Sequence, residues 1–116
     1  MSFTTTDPAI RQAFITGLRD LADYLDQHPA VAIPEHGTDI LLSAASADGG
    51  GCAQVDYFAR QLGVPVENEL AYSGHYRAVR SFGPVGYRMV AISDHAMARH
   101  HAHESYHGHV VPDTWT

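Results

Sequence analysis

At 116 residues, with 45% hydrophobic side chains and a formal net charge of −6 at pH 7, the chain has the length and make-up of one globular domain. No apolar run reaches the roughly 20 residues of a membrane span, and "MSFTTTDPAI" lacks the basic-then-apolar layout of a signal peptide, so a cytoplasmic location is expected. The single cysteine, Cys52, excludes an internal disulfide, and an acidic chain without lysine is a poor binder of phosphates, which makes nucleic acid an unfavourable partner.

The first element is a helix. Asp7 is placed to cap it, Pro8 suits its first position, and His28-Pro29 ends it. Ile10, Ala13, Phe14, Gly17, Leu18, Leu21, Ala22 and Leu25 form one apolar stripe at helical spacing, a face that must pack on something. The short apolar run "TDILLSAAS" (38–46), closed by "ADGGG", reads as a buried strand. Between Cys52 and Leu62 the spacing of Val55, Phe58, Ala59 and Leu62 predicts a second helix, with Gly63 as its C-terminal glycine.

"VPVENE" predicts a short edge strand, because Pro65 cannot donate to a ladder. Two strands follow, roughly 74–82 and 85–92, joined at Gly83-Pro84. Ser93 or Asp94 caps a last helix over about 94–107, which Gly108 closes. The order α-β-α-β-β-β-α implies an α+β fold: a single, mainly antiparallel sheet of about four strands with helices packed on it. One domain over 1–110 and an irregular tail over 111–116 are expected.

Within the last helix, "HESYH" (103–107) matches a pattern in which two imidazoles one turn apart grip zinc while a glutamate activates its water. His100, His103 and His107 are the candidate metal ligands. A catalytic zinc needs a third protein ligand, and nine residues remain after His107; His109 and Asp113 are the candidates there, with His36 or His75 from elsewhere. Histidine is so common in this stretch that chance alone would give the pattern about one time in six. At 100° per residue Ala98, Ala102, Ser105 and Tyr106 share one side, with His100, His103, Glu104 and His107 nearly opposite. The alanine side is expected to meet the sheet and the imidazole side to be wet.

Three other features bear on function. "ADGGGCAQ" puts Cys52 near a helix start, where thiols can be activated, but it fits no phosphate-binding motif, so an inert cysteine is expected. "RSFGPVGY" agrees only partly with the octapeptide of RNA-recognition motifs, since Ser81 replaces a glycine and Pro84 a stacking aromatic. Tyr76, Arg77, Arg80 and Arg88 interleave charge with aromatic surface on the hairpin and are the candidate partner-binding residues. Asp20, Asp23 and Asp26 form an acidic ridge on the first helix.

The segments "FITGLRDLADYLDQHPAV" and "GHYRAVRSFGPVGYRMVAISDHAMAR" resemble short proteins of unknown function found in actinobacterial chromosomes, integrated elements and phages. The resemblance implies a compact single domain of bacterial or phage origin and carries over no activity. The expected function is a small binding or regulatory domain that meets another protein, a homodimer among the options, without catalysis or cofactor of its own. The alternatives are a zinc-binding protein or H-E-x-x-H-type metallohydrolase using the histidine-rich helix, and single-stranded nucleic-acid binding by the hairpin.

Overall fold

The computed structural model describes residues 4–98. Its elements are helix α1 (Pro8–Gln27), strand β1 (Thr38–Ser43), helix α2 (Gly51–Leu62), and strands β2 (Glu67–Glu69), β3 (His75–Phe82) and β4 (Val85–Ile92). A short 3-10 turn, Ala47–Gly49, precedes α2, and a further helical turn begins at Asp94. The strand order is β1-β4-β3-β2; β2–β3 and β3–β4 are antiparallel and β1–β4 is parallel. This is the α+β fold expected, with a mixed sheet and the short strand β2 at an edge.

Local chemistry sets the boundaries. Asp7 accepts a hydrogen bond from Ile10 N–H at 3.1 Å and Pro8 opens α1. At its other end His28 stacks on Tyr24, ring centroids 4.0 Å apart, and its Nδ1 reaches Tyr24 O at 2.8 Å. Gly63, at φ 70°, ends α2 by donating to the carbonyls of Ala59 and Arg60. Gly83 takes φ 62° and Pro84 must take a negative one, the pattern of a two-residue type II′ hairpin turn.

The core lies between α2 and the sheet. Val55 and Ala59 from α2 meet Ala78 of β3 and Met89 and Ala91 of β4, with Leu42, Phe58 and Tyr76 packed around them. Strand alternation and register put Ile40, Leu42, Tyr76, Ala78, Arg80, Phe82, Tyr87, Met89 and Ala91 on this side of the sheet. Asp39, Leu41, Arg77, Val79, Arg88 and Val90 belong to the other side.

Two expectations are corrected. Of the two long helices only α2 packs on the sheet: α1 has no buried residue, and Ile10, Phe14, Leu18, Leu21 and Tyr24 are between 39 and 57% exposed. The reason is physical: α2 packs on β3 and β4, and α1 meets the open part of that face only across a cleft, where Ile10 and Phe14 stand opposite Ile40, Leu42 and Tyr87. The second correction concerns the last helix. Ser93 caps it, its Oγ accepting from Ala96 N–H at 3.2 Å, and the residue it buries is Ala96, against Gly74, while Ala98 is exposed. Its first turn therefore meets the domain through Ala96, on the side opposite Ala98; the remainder of the expected helix, with its alanine and histidine sides, lies outside the described residues.

A polar latch holds that turn. Ser46 Oγ donates to Asp94 Oδ1 at 2.5 Å, and Asp94 N–H donates to Asp48 Oδ2 at 2.7 Å. The loop before α2 is thus tied to the end of β4.

Candidate interaction surface

An open cleft of about 1000 Å³ lies on the α2 side of the sheet, between Thr4–Thr6 and Arg11 on one wall and Tyr57, Phe58 and Leu62 of α2 on the other, floored by Leu42, Tyr87 and Met89. A second cleft of about 250 Å³ continues it under the first turns of α1, where Ile10 and Phe14 face Ile40, Leu42 and Tyr87. Both form because α2 covers β3 and the upper part of β4 but leaves β1 and the start of β4 open. Phe58 closes the inner wall by packing on Tyr87, ring centroids 5.7 Å apart.

The rim is aromatic and basic. Arg60 lies 5.8 Å from the Tyr57 ring, and Arg80 lies 5.5 Å from the Phe82 ring at the hairpin tip. Tyr57 is 59% and Phe82 58% exposed. Ile10 and Phe14, at the start of the α1 stripe, border the second cleft, and Tyr57 lines the first, so the stripe runs into the clefts at its N-terminal end.

The four hairpin residues singled out in the sequence do not form one patch. Arg80 belongs to this surface, and its Nη1 also donates to Leu62 O at 2.9 Å, fastening the hairpin to the end of α2. Tyr76 shares its side of the sheet but is half-buried beside α2, where its hydroxyl donates to Asp56 Oδ1 at 2.5 Å. That bond to a carboxylate, with burial and the nearby charges adding to it, pushes the phenol pKa up to about 12. Arg77 lies on the opposite side, bound to Glu67 and Glu69 of β2 at 3.1 Å each. Arg88 is there too, its Nε 3.6 Å from Asp39 Oδ2, an ion pair too long to count as a hydrogen bond.

Cys52 is held as a thiol. Burial raises its pKa, and the carboxylates of Asp56 and Asp48 raise it further; Sγ–H points to Ala47 O at 3.7 Å. The direction of this shift is opposite to the one that activates a thiol as a nucleophile.

His100, His103 and His107 lie outside the described residues. Of the proposed additional ligands, His36 sits in the loop just before the Thr38 end of β1, which pairs with Val85, whereas His75 pairs with Ile92 at the far end of β4. Seven strand residues, roughly 23 Å, separate those ends, so the two cannot complete one site. Among the described residues no three of His, Cys, Asp and Glu come together in a metal-holding group.

The sequence shows the α1 stripe as an apolar face that must pack on something, and Phe82 among the aromatics interleaved with the hairpin arginines; Tyr57 carries no signal beyond being aromatic. No family model, curated protein or solved structure matches the chain.

Proposed function

We propose that the chain is a small protein-binding domain without catalysis of its own, and that its partner docks on the side formed by α1, the aromatic cleft and the tip of the β3–β4 hairpin. The observation that carries this reading is the uncovered apolar stripe of Ile10, Phe14, Leu18, Leu21 and Tyr24, about half exposed on a regular, well-capped helix. Singly exposed apolar residues are ordinary, but five on one helix face, continuous with an aromatic cleft, are the mark of a surface kept for association. The rim of arginine on aromatic rings has the composition of interface anchors. No helix among the described residues is long and apolar enough to cross a membrane, so the stripe is not part of a span.

A photo-crosslinking residue placed at Leu21 tests the reading in the cell, with one at Gln12, on the opposite side of α1, as the control. Protein adducts at Leu21 and none at Gln12 are expected; no adduct at Leu21 would overturn it. Elemental analysis of the untagged chain addresses the zinc alternative. About one zinc per chain, lost on His103→Ala, would move the function to the last helix instead.

A further inference from the structure

We infer that the outer edge of β1 is a strand-pairing site for a second copy of this chain, the two β1 strands lying antiparallel about a twofold axis through Leu41. The site is apart from the α1 stripe, and its test is independent of the protein-binding reading above.

An open ladder is the first ground. β1 stands at one end of the sheet and pairs only with β4. Thr38 N–H donates to Pro84 O at 3.0 Å and Ala44 N–H to Val90 O at 2.9 Å, so the even-numbered residues turn their backbone groups inward. The N–H and C=O groups of Asp39, Leu41 and Ser43 therefore point outward, and among the described residues no protein group meets them. A row of such bare groups is a template for another strand.

The second ground is that this edge has no guard. Sheet edges are commonly kept short or blunted by proline, lysine or an outward charge. The opposite edge is built that way: β2 has three residues, two of them glutamates, and follows Pro65. β1 has six residues and no proline, and the chain has no lysine. Its one charge, Asp39, is folded back over β4. Gly86 leaves room for that carboxylate, since a Cβ there would collide with Asp39 Oδ1, and Arg88 Nε lies 3.6 Å from Oδ2. Leu41, in the middle of the strand, is 52% exposed.

The third ground is that the strand is complementary to itself. With the axis at Leu41, Leu41 exchanges both backbone bonds with Leu41 of the other copy, and Asp39 does so with Ser43, so every outward group is used. On the α2 side Ile40 opposes Leu42; on the other side leucine meets leucine. Every other centre that keeps the outward groups facing sets at least one of the three residues against a position outside Thr38–Ser43. Centring on Asp39 also sets carboxylate on carboxylate. Six residues a side are fewer than the roughly 20–30 of a standard interface, so a dimer that dissociates on dilution is expected.

Sedimentation velocity of the full chain, from micromolar to millimolar, tests this, and a species of twice the chain mass is expected at the upper end. Leu41→Pro removes an outward N–H that the β1–β4 ladder does not use, and Leu41→Lys sets like charges opposite each other at the axis. Each should weaken association by about tenfold or more with circular dichroism unchanged, whereas Leu18→Glu on α1 should leave it as it was. Hydrogen exchange at the Leu41 amide should slow as the dimer forms. In a Cys52→Ser background Leu41→Cys should oxidise to a disulfide dimer, because residues that exchange both bonds stand about 5.5 Å apart at Cα. Thr38→Cys should not, since its two copies lie about 20 Å apart along antiparallel strands. A chain monomeric at every concentration, a dimer indifferent to both Leu41 changes, a dimer abolished by Leu18→Glu, or ready self-crosslinking at Thr38→Cys would each overturn the inference. A monomeric chain that still gives Leu21 adducts to other proteins would remove the strand pairing alone and leave the protein-binding reading standing.

Discussion

The helices α1 and α2 carry similar amphipathic patterns and meet different fates. In α2 the fully buried residues are small: Val55 and Ala59 pack with Ala78 and Ala91 of the sheet, and Gly51 is buried against the loop at Ala45 and Ser46. In α1 the stripe is large, Ile10, Phe14, Leu18 and Leu21, and nothing on it is buried. The links differ as well. Gly63 turns α2 straight back toward the sheet, whereas α1 reaches β1 only through the linker 28–37, with Pro29 and Pro34 in it. Periodicity shows that a helix has a side to cover. The size of the residues on that side, and the length of the link beyond it, tell whether the cover comes from its own chain.

Substitutions at matched positions sharpen the contrast. Val55→Asp buries an unpaired charge in the core and should cost about 3–5 kcal/mol, enough to leave little folded protein by circular dichroism. Leu21→Asp on α1 should change stability by less than about 0.5 kcal/mol in urea unfolding. Equal costs at the two sites would erase the distinction between the helices.

Gly74→Ala comes next. Gly74 has φ 79° and a Cβ there would run into Ala96 and Ser93, so the change should cost about 1–3 kcal/mol and lower the melting temperature by several degrees. Smaller still is the pH effect beside α2. An acid whose folded pKa is raised keeps its proton longer when folded, so Tyr76 adds stability below about pH 10 that is lost as the pH climbs toward about 12. Asp56→Asn removes the charged acceptor and should bring the tyrosine's ultraviolet titration back toward 10. Arg77→Ala should be the mildest, under about 1 kcal/mol, because its ion pairs with Glu67 and Glu69 are partly solvated.

Much of the fold could be read from residues that act locally. Asp7-Pro8, Gly63 and Gly83-Pro84 each impose a backbone event on their own neighbours, and the boundaries they mark were found within a residue or two. Pro65 likewise announced that β2 would be an edge. What could not be read were relations between distant segments. Nothing in "TDILLS" tells that it runs parallel to β4, and nothing in the spacing of Arg77, Arg80 and Arg88 tells that β2 supplies carboxylates to one of them and α2 a carbonyl to another. The candidate surface was legible as its parts, an apolar stripe and an arginine-aromatic hairpin. That they share one side of the domain follows only from the register and from how little of the sheet α2 covers.

The parallel pairing of β1 with β4 also bears on the order in which the chain assembles. Thr38 and Val85 are neighbours in the sheet although 47 positions apart in sequence, whereas the two strands of the β3–β4 hairpin are joined by two residues. Closing the long loop carries an entropy cost that the hairpin avoids, so α2, β3 and β4 can consolidate before β1 docks. Until it does, one edge of β4 offers a vacant ladder to any extended segment nearby. Docking of β1 then closes that edge against mispairing.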